Sequence, residues 1–262
     1  MRRSSSAGLM AGAASALLLL FLVLPVVQLV AAAGPQGATQ LWSDAELRHS
    51  LALTALTATG ATLIAALCGA PLAWLLARRA FRGRALVSAV LDLPLLIPHP
   101  VAGIALLLLL GRGSAVGGSL LQLGLRIVGT PLGIIAAMLF VSAPLFVSGA
   151  REAFARVDAR LEGVARTLGD SPARAFRRVT LPLAARGLIA AGIVSWARAV
   201  SEFGAIVILA YNPKVVSVLA YDRFTGFGLT EALPVAAALV LLSLIPLTAL
   251  RALRMGDVPE AA

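Results

Sequence analysis

The chain has 262 residues, 60% of them hydrophobic and 13% charged, with mean hydropathy +0.94 and formal net charge +10. An apolar share so far above the roughly 45–50% of ordinary soluble domains excludes a water-soluble globular protein and puts the chain in a membrane. The single cysteine, Cys68, lies inside an apolar block, which excludes an intrachain disulfide framework and leaves no zinc or thiol redox motif.

Apolar blocks between charged or Gly/Pro-rich breaks predict six transmembrane helices, at about 8–31, 50–77, 85–111, 131–150, 187–211 and 232–250. Most reach the ~20 residues that cross about 30 Å of hydrocarbon at about 1.5 Å per residue. The fold class is therefore an all-α integral membrane protein, with 1–262 as one transmembrane domain. The first block follows Arg2 and Arg3 and ends in LVAAAG, in the manner of a secretory signal. Its run from Leu9 to Ala33 is much longer than the roughly 7–15 residues of a signal core, so a retained helix is expected. Residues 32–49, with Gly34, Pro35 and Gly37, are expected to form an outside connection.

An even number of spans puts both termini on one side, and the arginines choose the side. With the termini in the cytoplasm, the inside segments hold Arg2 and Arg3, then Arg78, Arg79, Arg82 and Arg84, then Arg151, Arg156, Arg160, Arg166, Arg174, Arg177, Arg178 and Arg186, and finally Arg251 and Arg254. Outside lie only Arg48, Arg112, Arg126, Lys214 and Arg223. The asymmetry follows the positive-inside rule, so the basicity records topology, not a nucleic-acid partner.

In the third span, Asp92 begins a stretch broken by Pro94, Pro98 and Pro100. Irregular backbone at membrane depth is tolerated only where it is buried in protein or lines water, which suits either a gate or a kinked packing helix. His99 reads as a packing or hydrogen-bonded residue, since no second metal-binding residue is near it in sequence, and no metal site is expected.

The long inside connection, about 151–186, contains the most polar stretch, EGVARTLGDSPARAFRRVTLP. Leu161, Val164, Ala165 and Leu168 share one face of a helix that Asp158 caps, and Glu162 is spaced to pair with Arg166. Gly169 suits the left-handed closing position, and Ser171 with Pro172 opens a second helix to about Val179. Two turns are too few to be stable alone. With Phe176 as an apolar knob among Arg174, Arg177 and Arg178, this helix suits a groove in another protein or a bed of anionic headgroups equally well.

In the fifth span Arg198 and Glu202 stand near the middle, where a charge costs about 2.5–3.5 kcal/mol on insertion scales. Their i, i+4 spacing lets them pair, facing the bundle interior or a dimer seam, as a structural pair or as part of a path. Gly204, after Phe203, allows close backbone approach. Outside, Tyr211, Lys214, Tyr221 and Arg223 suit either an acidic docking face or anchoring at headgroup level. The only lysine, Lys214, sits in NPKVV, so no phosphate-binding Gly-Lys-Ser/Thr loop exists, and no catalytic constellation stands out.

The run from Gly163 to Pro182 resembles the Glu-Ala-Ala loop of ABC-importer permeases. Gly169, Val179, Leu181 and Pro182 fall at the family's spacing, while Gly163, Val164 and Ala165 stand at the Glu-Ala-Ala positions and Glu162 comes one residue early. The resemblance implies that Glu162, Gly163, Val164, Ala165, Gly169, Ser171, Pro172, Arg174, Phe176, Arg177, Leu181 and Pro182 couple the chain to a cytoplasmic ATPase dimer that binds ATP and Mg, with no cofactor on this chain. The Ser-Glu-Phe-Gly-Ala run at 201–205 resembles the signature of oxyanion permeases for sulfate, molybdate and tungstate. The stretch VLAYDRFTGFGLTEALPVAAALVLLSL is most similar to the molybdate/tungstate branch, and DLPLLIPHPVAGIALLLLLG resembles the Pro-rich third span of that group.

Together these resemblances cover about 47–254 and imply the type I importer fold, with six helices in a prokaryotic cell membrane. They imply a homodimer, an extracytoplasmic binding protein, and a path or gate near Asp92, Pro94, Pro98, Arg198, Ser201, Glu202, Phe203 and Gly204. A sulfate or thiosulfate permease is the rival within the class. From other classes, an intramembrane enzyme using Asp92, His99 or Glu202 and a non-transporting scaffold are the alternatives.

Overall fold

The computed structural model describes residues 6–255, all of whose regular elements are helical. Arg2 and Arg3 lie outside the described residues, as does the side chain of Arg254.

Helix α1, Ser6–Ser43, runs through the expected first connection. Gly34, at φ 56°, breaks it once, and Pro35 starts the following turns, so residues 32–49 are helical except at Gly34 and Asp44. Asp44 caps α2, Ala45–Arg78, by accepting from the Leu47 N–H at 3.1 Å. Almost all of α1 from Met10 to Ala32 is exposed, whereas its far end, at Ala33 and Gly37, packs on α12 (Leu229–Met255).

The third span is not a straight helix. It is two helices, α3 (Arg84–Leu96) and α4 (His99–Leu110), bent by 113° at Ile97–Pro98. A proline has no N–H and disfavours helical backbone in the residue before it, so Pro98 and Pro100 set the elbow. Helix α5, Ala115–Gln122, capped by Ser114, follows in the segment expected to be a loop. Helix α6, Pro131–Arg156, extends beyond the expected span and forms the centre of the bundle against α2 and α9 (Leu181–Val200).

Helix α7, Ala159–Thr167, is the capped first helix of the long polar connection, and Gly169, at φ 99°, closes it as expected. The second helix differs from expectation. Helix α8, Pro172–Ala175, passes through a π turn, Phe176–Thr180, into α9, Leu181–Val200, as one continuous apolar helix Pro172–Val200. Pro182 cannot donate to the carbonyl four residues back, and the chain accommodates this by a wider turn in which the Leu181 N–H bonds to the Phe176 carbonyl. Leu-Pro therefore marks a turn inside the fifth span and not the end of a separate two-turn helix.

After α9 the backbone opens at Ser201–Phe203, then resumes as α10, Gly204–Leu209, and α11, Val216–Phe227. The upper core joins Ala58, Ala102, Ile134, Met138, Ile206 and Val218, and a second cluster joins Leu76, Phe146, Phe154 and Ala184. The many alanines let helix backbones approach closely, as packing inside a bilayer requires when apolar burial supplies no driving force.

Candidate functional site

The elbow of α3 and α4 meets the break between α9 and α10. Their contact depends on two residues without side chains. A Cβ on Gly204 would stand 2.7 Å from His99 Cβ and 3.1 Å from Pro100 Cδ, and one on Gly103 would stand 2.8 Å from the Ala205 carbonyl oxygen. The broken third span is thereby pinned to the broken fifth.

At this junction three side chains close a triangle. Glu202, 1% exposed, accepts at Oε2 from Arg198 Nη2 at 2.9 Å and lies 3.0 Å from His99 Nδ1. Arg198 Nη2 is in turn 2.8 Å from His99 Nδ1 and 2.9 Å from His99 Nε2. The imidazole tautomer protonated at Nδ1 would donate to the carboxylate and offer Nε2 to the guanidinium. Glu202 Oε1 accepts from the Ala205 N–H at 2.8 Å, which starts α10, and the Glu202 carbonyl accepts from Ser217 Oγ at 2.8 Å. Arg198 Nη1 also reaches Ser201 Oγ at 3.2 Å.

The expected Arg198–Glu202 pair is thus formed, at the end of a helix and not at mid-span as the sequence predicted. Nearby tethers, Val216 N–H to Thr54 Oγ1 at 3.0 Å and Trp196 Nε1 to Thr59 Oγ1 at 3.1 Å, tie this level to α2. Thr54 and Thr59 lie roughly 14–21 Å along α2 from its Asp44 end, at about 1.5 Å per residue. A cavity of about 450 Å³ opens on the triangle, lined by His99, Pro100, Arg198, Ser201, Phe203 and Val207 among others. Of the predicted path residues, Arg198, Ser201, Glu202, Phe203 and Gly204 come together here and Pro98 forms the elbow. Asp92 and Pro94 stay on the α3 limb, where Asp92 is exposed beside Leu93 and Val90. The sequence read His99 as a packing or hydrogen-bonded residue, and it hydrogen-bonds here; the partners it meets were signalled only by its place between the two prolines that make the bend.

At the opposite end, Glu162 turns into its own chain. Its carboxylate accepts from Thr180 Oγ1 and lies 3.8 Å from Arg78, in place of the expected pair with Arg166. Phe176 also turns inward, with ring centroids 5.8 Å from Trp74 and 6.1 Å from Phe154. The exposed apolar groups of the loop are instead Leu161 and Val164 on α7 and Leu168 at its C-cap, the last 83% exposed. Gly163, Arg174 and Arg177 are exposed too, and Ala165 is half-buried. Asp170 accepts from Arg178 at 3.3 Å, with Arg174 at 3.6 Å.

At the Asp44 end, an ion-pair lattice clasps α2 to α11. Lys214 meets Asp222 at 2.6 Å, and Arg223 meets Asp44 at 2.6 Å and Glu46 at 3.2 Å. The Lys214 ammonium, joined by the Tyr211 hydroxyl, holds the Asp222 carboxyl below the usual carboxylate range, and the same bond raises Lys214. Burial alone would push Asp44 up, but the Leu47 N–H and Arg223 outweigh it and bring its carboxyl down.

Residues 69–254 match the profile of the binding-protein-dependent transport system inner membrane component. The chain belongs to this family. The permease is a multi-pass membrane subunit of a prokaryotic ABC transporter, with five helices among the described residues long and apolar enough to span and a sixth if the bent pair counts as one. It is 44% identical over 198 residues to the molybdate/tungstate transport system permease protein WtpB of Pyrococcus abyssi, covering 76% of this chain and 73% of the relative. It is 31% identical to the sulfate transport system permease protein CysT of Salmonella typhimurium, covering 90% and 87%. Among solved structures, a bacterial ABC transporter that imports the acidic polysaccharide alginate superposes with TM-score 0.72 at 19% identity, covering 95% of this permease and 96% of that chain. That likeness gives the fold, the type I importer permease.

Proposed function

We propose that the permease imports molybdate or tungstate by alternating access. It acts as one transmembrane domain per chain, paired with a second copy of itself, above a cytoplasmic ATPase dimer that holds ATP and Mg and beneath an extracytoplasmic binding protein. The observation that carries the anion is the identity gap, 44% to a molybdate/tungstate permease against 31% to a sulfate permease. The positive-inside rule supports cytoplasmic termini, which puts α7 with the ATPases and the Lys214–Asp222 lattice with the binding protein. The outward stripe Leu161, Val164 and Leu168 supports α7 as the surface that enters an ATPase groove, with Gly169, Ser171 and Pro172 turning the chain back into the membrane. Asp92 supports the second copy: an exposed carboxylate on an apolar span requires water or protein against it, not lipid.

The test is elemental analysis of cells lacking this permease and of the same cells carrying it. Restored molybdenum and tungsten content supports the reading. Restoration of sulfate-dependent growth without either metal overturns it.

A further inference from the structure

The Glu202 carboxylate has more partners than a static ion pair needs. Its Oε2 is shared by Arg198 at 2.9 Å and His99 at 3.0 Å, and the two partners differ in what else holds them. His99 belongs to the α4 tip, which Gly204 pins in place. Arg198 is 21% exposed at the side chain, lines the 450 Å³ cavity, and has besides this triangle, among the described residues, only the exposed Ser201 hydroxyl at 3.2 Å.

With a neutral imidazole, the triangle carries one positive and one negative charge, and so attracts a dianion weakly as it stands. A guanidinium released from the carboxylate presents a fork of N–H donors that matches two oxygens of a tetrahedral oxyanion. Release from a carboxylate 1% exposed normally leaves a buried charge uncompensated, which is strongly unfavourable. Here the cost is lowered, because the carboxylate keeps two hydrogen-bond donors, His99 Nδ1 at the same oxygen at 3.0 Å and the Ala205 N–H at the other at 2.8 Å.

We propose that Arg198 and His99 form an exchange site in which Arg198 leaves Glu202 to bind the passing oxyanion in this cavity, while His99 keeps the carboxylate hydrogen-bonded. The inference rests on the oxyanion reading above. Arg198 is the anion-contacting group, Ser201 Oγ a second donor beside it, and His99 a positioning residue that makes release inexpensive. Return of Arg198 to Glu202 then expels the anion, which gives the site the weak, reversible binding that conduction requires.

The test uses the full transporter, permease with its ATPase and binding protein, in proteoliposomes with radiolabelled molybdate. Uptake and molybdate delivered per ATP hydrolysed are measured together. Arg198→Gln is expected to lower delivery per ATP by about 30-fold or more, and His99→Leu, which leaves Glu202 unpaired when Arg198 departs, by about tenfold. His99→Gln, whose amide N–H replaces the Nδ1 donor, is expected to recover most of the loss. In the Arg198→Gln background, His99→Leu should add less than about twofold, because the two residues serve one step. Equal losses for His99→Leu and His99→Gln, or independent losses in the double variant, overturn the exchange. If Arg198→Gln does not assemble, the comparison of the two His99 variants decides. A wild-type transporter that accumulates neither molybdate nor tungstate refutes the oxyanion reading on its own, whereas wild-type accumulation with indifferent variants refutes only the exchange.

Discussion

Replacing Glu202 by Gln removes one charge while keeping the side chain's size, and the geometry says what that costs. Three donors converge on the carboxylate, from Arg198, His99 and the Ala205 N–H. A carboxamide has a single oxygen and an NH₂ group, so in either orientation a donor faces a donor, at about 1–3 kcal/mol for each buried group left unsatisfied. Losing a partner from a fully buried ion pair costs about 3–5 kcal/mol, and the 21% exposure of Arg198 places this case toward the lower end. The expected destabilisation is about 2–4 kcal/mol, equivalent to about 30- to 1,000-fold in the folded-to-unfolded ratio. Thermal unfolding of the detergent-solubilised permease, followed by circular dichroism, should show a Tm lower by about 5–15 °C. Exposed Glu152→Gln is the control and should shift Tm by about 1 °C or less. A Glu202→Gln variant that unfolds with the control would refute the buried triangle.

Gly103→Ala drives a methyl to 2.8 Å from the Ala205 carbonyl oxygen, which cannot rotate away, so the same assay should register a loss of about 1–3 kcal/mol. Val164→Asp and Leu168→Asp should abolish co-purification of the ATPase without changing Tm, whereas Phe176→Ala should lower Tm through about 2–4 kcal/mol of lost packing on Trp74 and Phe154. Unchanged ATPase capture by both α7 variants would remove α7 from the contact. At the opposite end, the depressed Asp222 carboxyl contributes stability that is complete above the ordinary carboxylate value of about 3.9 and is lost as pH falls through its lower folded value. Lys214→Met should therefore lower stability by about 0.2–1 kcal/mol at pH 6 in low salt, and the difference from wild type should vanish once acidification passes below the lowered Asp222 value. A gap that persists there would contradict the Lys214–Asp222 pair.

Hydropathy made the helices legible, because length and apolar content are properties of a segment on its own. It misplaced what depends on neighbours. The 113° bend needed Pro98 and Pro100 to be read as an elbow, and in a bilayer such a bend survives only where another helix receives it, here α10 at Gly204. The fifth span was shifted because Pro182, normally a stop, is absorbed by the π turn at Phe176–Thr180. The Arg198–Glu202 pair was visible as an i, i+4 spacing, but His99 lies 99 residues from Arg198 and only the elbow joins them. Phe176 looked like an outward knob because amphipathic spacing does not say which face another part of the chain covers. Glu162, one residue early for the family motif, is accounted for within the chain: it clasps Thr180 and Arg78, and α7 is left to present Leu161, Val164 and Leu168.

The central claim, oxyanion import, is tested most directly by ATP-driven uptake of radiolabelled molybdate into proteoliposomes holding the permease, its ATPase and its binding protein, with unlabelled anions as competitors. Accumulation that requires ATP, is blocked by excess tungstate and survives excess sulfate is the predicted result. Uptake suppressed by sulfate and indifferent to tungstate would contradict it.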